Sequence, residues 1–306
     1  MLCLESLAQL AALDPTARSA QVAAFHLGDR RFGGNARPSV MGVINLSVDS
    51  WYRESVCVSA SAAIRRGQVL LAQGADIIDV GAESSLAHAA RVDDVTQTSA
   101  LIPVVRELAA AGAVVSVETY HPTVTRACLA AGAKVLNLTG TDRSPEMFHL
   151  VAEHDAAVIL CYVQGANVRE VGDYDFSADP VSGMYEYFAR QIDLATRAGV
   201  TRIWIDPGLG FYYRNLQDSS VRIRHQMTVF LNTFRLRKLG WPVCHALPHA
   251  FEKFGDEVRC AEPFFAVLAA LGKTDLFRTH EVPRVRAVLE TLALWSPAQE
   301  APALVG

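Results

Sequence analysis

Eight times between residues 40 and 294 a short apolar run gives way to a longer amphipathic one. The apolar runs fall at 40–46, 76–80, 114–118, 135–138, 157–161, 203–205, 243–247 and 276–279. The helical patterns fall at 60–73, 96–111, 122–131, 146–154, 181–197, 221–236, 263–271 and 283–294. Most of the short runs are hydrophobic almost throughout, as parallel strands buried on both faces are. Four helical runs end in a glycine that feeds the next strand, in QGADIIDV, AAGAVVSV, AAGAKVLN and RAGVTRIW. Glycine closes a helix there because it takes the left-handed cap at little cost. A doubly wound open sheet also alternates, but it uses a glycine-rich phosphate turn after its first strand, and no G-x-G-x-x-G follows 40–46. The expected fold is therefore α/β, a single (β/α)8 TIM barrel over 39–296. A short N-terminal extension, 1–38, carries a helix and a possible hairpin at FHLGDRRF, and 297–306 form a C-terminal tail.

The composition fits one large domain: 306 residues, 51% hydrophobic. A net charge of −4 supplies no basic field for nucleic acid. The six cysteines are scattered with no C-x-x-C spacing, which fits neither a zinc site nor a redox motif and suits a reducing cytoplasm. The N-terminus lacks a basic start followed by a long apolar run, and no stretch reaches the roughly 20 apolar residues of a membrane span.

In a barrel of this kind, polar residues at the C-terminal strand ends are the default working groups. Here the ends read Asn45 with Asp49; Asp79 with Glu83, Ser84 and Ser85; Glu118; Asn137; Asp206 ahead of Phe211; His245 and His249; Arg278 and His280. Taken singly, each has a plain reading as a turn former, a packed imidazole or a surface pair. Taken together, so many polar groups converging on one axis suit a flat, nitrogen-rich ring. A carboxylate accepts two parallel N–H groups from an aminopyrimidinone edge, and Asn supplies one donor and one acceptor. Arg278 and His280 lie two apart on a strand and share a face, so with Asn45 they can hold a phosphate group.

At these residues the sequence resembles dihydropteroate synthase. The blocks MGVINLSVDSW, GADIIDVGAESS, SVETY, AGAKVLNLTG, PEM, IDPGLGF, LGWPV and FRTHEV occur in that family's order and spacing, from about 38 to 294. The resemblance implies a transferase of folate biosynthesis that joins 6-hydroxymethyl-7,8-dihydropterin diphosphate to 4-aminobenzoate, releasing pyrophosphate with Mg2+. It implies that Asn137 and Asp206 recognise the pterin, with Glu118 at the position of a third pterin residue. Asn45, Arg278 and His280 would hold the diphosphate, Asn45 also serving the metal. Asp49 would act on the cationic pterin, and Phe211 would lie beside the arylamine, with Ser85 on the second loop. It further implies a homodimer through the outer helices, with the segments 264–271 and 285–294 as candidates.

Several positions depart from the family pattern. Its third-strand Asp is Glu118, and the Asp after the pterin Asn is Leu138. In the first loop Val48 and Trp51 replace Pro and Phe. The second loop, Ser-Thr-Arg-Pro-Gly in the family, reads Ser84-Ser85-Leu86-Ala87-His88. The Ser-Arg-Lys after the seventh strand is Pro248-His249-Ala250, which leaves His249, or Lys253 on a reshaped loop, to replace the missing cation. Two positive charges are thus lost on the second-substrate side, and turnover with 4-aminobenzoate is expected to be weak or absent. The alternatives are a pterin-diphosphate-binding paralogue that uses another amine, a non-catalytic pterin-binding homologue, and a folate-binding methyltransferase barrel. The retained Arg278-x-His280 pair argues against the last, because a methyl donor needs no diphosphate clamp.

Overall fold

A computed structural model describes residues 2–34, 36–50, 52–86, 89–176, 179–211 and 213–295. Trp51, Ala87, His88 and the tail 297–306 lie outside the described residues. The chain opens with helices α1 (Leu4–Leu13) and α2 (Pro15–Arg18). An antiparallel hairpin follows, β1 (Ala24–Leu27) and β2 (Arg30–Gly33). The barrel strands are β3 (Ser39–Asn45), β4 (Ile77–Gly81), β5 (Val115–Thr119), β6 (Val135–Leu138), β7 (Ala157–Cys161), β8 (Ile203–Asp206), β9 (Cys244–Ala246) and β10 (Leu276–Thr279). The helices between and after them are α3 (Ala60–Ala72), α4 (Asp94–Ala110), α5 (Pro122–Ala130), α6 (Ser144–Glu153), α7 (Ser182–Arg197), α8 (Ser219–Asn232), the short α9 (Phe251–Phe254), α10 (Ala261–Leu271) and α11 (Val282–Ala293).

The eight strands pair in parallel in the order β8-β7-β6-β5-β4-β3-β10-β9. A parallel bridge between Ile205 and Val243 closes the ring, so the expected (β/α)8 barrel is the observed one. The glycines at 74, 112, 132 and 199 all have positive φ, the conformation their place before a strand requires. The seventh strand is shorter than the 243–247 run suggests. Beyond Ala246 the chain keeps one ladder bond, Leu247 N–H to Arg278 O at 2.9 Å, and then turns through Pro248.

Side chains alternate faces along each strand, and this period of two sorts the barrel interior. Met41, Ile77, Val135, Trp204 and Leu276 pack at the N-terminal end. Two residues further along β4, β6, β8 and β10 stand Asp79, Asn137, Asp206 and Arg278. The same inward column is therefore apolar at its base and polar at its mouth. The N-terminal hairpin seals the base: Phe25 and Phe32 meet Trp204 edge-on at 4.6 and 5.3 Å. Ligands consequently have one open end to enter by. No described helix is long and apolar enough to cross a membrane.

Candidate active site

A cavity opens at the C-terminal ends of the strands. Its walls include Asn45, Ser85, Glu118, Asn137, Asp206, Phe211, His249, Arg278 and His280, so the mouth brings these nine expected site residues together. Two expected site residues stand elsewhere. The Asp49 carboxylate accepts the Ala90 backbone N–H at 3.1 Å through Oδ2 and so joins the first loop to the second. Lys253 is exposed and lines a separate groove between α1 and α8, because α9 carries it outward past the mouth. It does not take the place of the missing lysine.

The floor of the cavity is a charge network. Asp79 is fully buried, and its Oδ2 accepts from Arg278 Nε at 2.8 Å and from Asn137 Nδ2 at 3.1 Å. The Arg278 Nη2 also donates to Glu118 Oε2. Burial works against the charge on Arg278, but the Glu118 and Asp79 carboxylates outweigh it and hold the guanidinium above its ordinary range. Arg278 is thus committed to two acids on the floor. Burial raises the Glu118 carboxyl, and Arg278 opposes the rise.

Asp206 is differently placed. Its Oδ1 accepts the Gly208 N–H at 2.8 Å, within its own turn. Burial pushes its carboxyl up to about 6, since the Gly208 N–H, the more distant Arg278 and the Cys244 thiol only partly offset desolvation. A buried acid shifted this far toward neutral pH, on the wall of a cavity, marks a candidate ligand site. Asn137 is half committed: its Oδ1 receives the Cys161 thiol at 3.4 Å while its amide N–H goes to Asp79.

The opposite wall is aromatic. The Tyr52 ring stacks on His249 at 4.8 Å and on His280 at 4.7 Å, and its hydroxyl donates to Glu281. Burial lowers the His249 imidazole to about 4 and the His280 imidazole to about 3, so both are neutral near pH 7. Glu262, fully buried in the first turn of α10, sets their orientation. Its Oε1 lies 2.7 Å from His280 Nδ1 and 3.4 Å from His249 Nδ1. Its Oε2 accepts the Thr279 hydroxyl and the backbone N–H groups of His280 and Glu281, at 2.9 and 3.1 Å for the latter two. His245, by contrast, is buried behind the sheet, with Nε2 2.7 Å from Thr233 Oγ1 and its ring 4.7 Å from Phe230. It packs and does not reach the cavity.

Sequence reasoning missed four residues. Glu262 left one signal, a lone acid at the head of an otherwise apolar helix, AEPFFAVLAAL. Tyr52 left none, lying beside a loop position read for its neighbour. Arg169, beyond β7, donates to the carbonyls of Ser84 at 2.7 Å, of Ala89 at 2.6 Å and of Leu86, and so pins the second loop. Arg222 of α8 lines the cavity near Phe211 and is held by Glu252 and by the carbonyls of Leu216 and Gln217 at 3.1 and 3.2 Å. Asp79, noted as a strand-end residue but given no role, proves to be the hub of the floor.

Asn45 offers an oxygen for a hard cation. Its Nδ2 donates to Ser55 Oγ at 2.6 Å, which leaves the amide oxygen for the cavity it lines. One neutral oxygen fits an ion such as Mg2+ that keeps its waters and arrives largely coordinated by substrate phosphates.

A family model described as "Pterin binding enzyme" matches residues 41–246, well over half of the chain. A dihydropteroate synthase of Mycobacterium leprae is 35% identical over 175 residues, which cover 56% of this chain and 62% of that protein. The aligned stretch is thus under two thirds of that relative. A dihydropteroate synthase of Synechocystis sp. is 27% identical over 284 residues, covering 88% of this chain and 94% of that one. Among solved structures, Xanthomonas albilineans dihydropteroate synthase with 4-aminobenzoic acid superposes with a TM-score of 0.75 at 27% identity, covering 90% of this chain and 98% of that one.

Proposed function

The chain belongs to the pterin-binding enzyme family, among the dihydropteroate synthases, and from that premise we propose how its mouth works. It condenses 6-hydroxymethyl-7,8-dihydropterin diphosphate with an arylamine of the 4-aminobenzoate type. The amine nitrogen attacks the pterin methylene carbon, the C–O bond to the diphosphate breaks, and pyrophosphate and one proton leave. The observation that carries this reading is Asp206, a buried carboxylate that lines the cavity beside Asn137. It accepts two parallel N–H groups of an aminopyrimidinone edge, and the Asn137 side chain takes the adjoining edge.

The diphosphate lies toward His280 and Asn45. There the Asn45 oxygen would help hold Mg2+, which when bound would supply neutralisation of the leaving group. Arg278, tied to Asp79 and Glu118, acts from the floor: it balances the acids beneath the ring, so that the site tolerates a flat cation without a net positive charge under it. Phe211 and Pro248 form the apolar walls against which the arylamine is positioned, which is most of what a weak nucleophile needs.

The acceptor's carboxylate needs a cation. Two arginines stand among the described lining residues: Arg278, tied to two acids on the floor, and Arg222, held by Glu252 and two carbonyls. Arg222, whose acid partner is exposed and can yield it, takes this role, and Lys253 does not. Because a lysine and a loop arginine of the family pattern are missing, turnover with 4-aminobenzoate is slow. A second reading, a paralogue for another amine, draws on the acceptor side, where Pro248-His249-Ala250 and the loop pinned by Arg169 reshape the wall.

The chain works as a homodimer in the cytoplasm. The dimer contact falls on the outer faces of α10 and α11, where Phe264, Leu271, Leu292 and Leu294 are exposed, and six free cysteines suit a reducing compartment.

The test is a purified-protein assay with both substrates, run beside the Xanthomonas albilineans enzyme. Dihydropteroate formation well below that enzyme's rate is expected. Consumption of the pterin diphosphate only with another arylamine would favour the second reading. No consumption with any arylamine would overturn the first and the second together.

A further inference from the structure

His249 stands where the family pattern has an arginine, and it makes a cluster with two residues of quite different origin: Glu262 from α10 and His280 from just beyond β10. One nitrogen of each imidazole and a carboxylate oxygen all lie within 4.8 Å of one another. Both Nδ1 atoms face the same oxygen, Glu262 Oε1, at 2.7 Å from His280 and 3.4 Å from His249. His249 Nδ1 is buried and has no hydrogen-bond partner among the described residues. An imidazole nitrogen held against a carboxylate in the protein interior without a hydrogen bond asks for a third body between them. The backbone supports the placement. Ala250, next to His249, sits in the left-handed region at φ +46°, a conformation that costs an alanine roughly 1–2 kcal/mol and is kept where the surroundings demand it.

We propose that His249, Glu262 and His280 form a binding site for a divalent transition-metal ion of the zinc type, at the phosphate edge of the mouth. Two imidazoles and one carboxylate are a ligand set for such an ion and not for Mg2+ or Ca2+, which take oxygen shells. Ligand atoms about 2.0–2.2 Å from a tetrahedral zinc stand about 3.3–3.6 Å apart. The His249–Glu262 separation already has that value. The His280–Glu262 separation reaches it when the Nδ1 proton leaves and the ion takes its place, an opening of under about 1 Å. Three protein ligands leave a fourth position open toward the cavity, where a phosphate oxygen or water completes the shell. Tyr52, stacked on both rings, fixes the planes of the two imidazoles before the ion arrives. Oε2 of Glu262, with its three donors, anchors the carboxylate so that Oε1 keeps its aim.

The site stands whether or not the pterin reading does, and its test uses metal alone, without pterin. Purified full-length chain, stripped with a chelator, is titrated with Zn2+ by calorimetry at pH 7.5 in the presence of excess Mg2+. One equivalent is expected to bind, and His249→Ala is expected to weaken it at least about tenfold, the lower end of what even an outer-sphere partner costs. Co2+ substitution gives a readout independent of any variant's folding: visible bands of a tetrahedral nitrogen–oxygen site, with no near-ultraviolet thiolate charge-transfer band. Absence of Zn2+ binding, an affinity unchanged in both His249→Ala and Glu262→Gln, or a thiolate band, which would place the ion on cysteine, each overturns the proposal.

Discussion

Arg278 Nε lies 2.8 Å from Asp79 Oδ2, and the same oxygen holds the Asn137 amide at 3.1 Å. One buried oxygen thereby ties three barrel strands, β4, β6 and β10, at the floor of the mouth. Removing one partner of such a pair leaves an uncompensated charge in the interior. Asp79→Ala is expected to cost about 3 kcal/mol or more. The exposed pair Arg197–Asp193 on α7 is the control, and Asp193→Ala should shift stability by less than about 0.5 kcal/mol. Urea denaturation of both variants checks the contrast. Equal effects would mean that the floor network is not a buried one.

Ligand binding should titrate with Asp206. Its carboxyl is pushed up to about 6 by burial, so in the free protein it is protonated below that pH and ionised above it. The ionised form accepts two N–H groups, whereas the protonated form has lost an acceptor. Pterin affinity is therefore expected to rise as pH increases through about 6 and to level off above 7. Calorimetry from pH 5 to 8 measures this, and Asp206→Asn should abolish the step. An affinity that is flat, or that falls across this range in the unmodified protein, contradicts the assignment.

Ser84, Leu86 and Ala89 are tied to a residue some 80 positions later, since Arg169 holds their three carbonyls. Arg169→Ala is expected to speed amide exchange at Leu86, Ala89 and Ala90 while leaving the strands protected. Hydrogen-exchange mass spectrometry reads this directly. Unchanged protection in the 84–90 segment would show that the loop holds itself.

Two cations should behave oppositely. Lys253 is exposed in the groove between α1 and α8, so Lys253→Ala should leave both substrates' KM values unchanged. Arg222 lines the cavity, and a charged hydrogen bond lost to a carboxylated acceptor is worth about 1.5–3 kcal/mol. Arg222→Met should raise the acceptor's KM at least about tenfold and leave pterin affinity alone. A reversed pattern would place the acceptor at the other end of the loop.

The barrel was legible because its signals are local. A strand-and-helix period repeats eight times, and glycine marks the turns at 74, 112, 132 and 199. The polar column at the mouth was legible for the same reason, since two-residue spacing along β10 already puts Arg278 and Leu276 on one face. The partners of these groups were hidden. Arg278 meets Asp79 across 199 residues, and Glu262 reaches the mouth from a helix whose sequence speaks of packing. Lys253, expected at the site only on a reshaped loop, stands in the outer groove, because composition shows that a charge exists but not which side of a four-residue helix carries it. The contact of Asp49 with the Ala90 N–H was equally hidden, because it joins two loops across 41 residues.

The central claim is that Asp206, at the base of this mouth, recognises a pterin. Titration of the purified protein with 6-hydroxymethyl-7,8-dihydropterin diphosphate at pH 7.5, beside the Asp206→Asn variant, tests it most directly. One site is expected in the unmodified protein, with affinity reduced at least about tenfold in the variant by loss of the charged acceptor. No binding at millimolar ligand, or equal affinity in the two proteins, would contradict it.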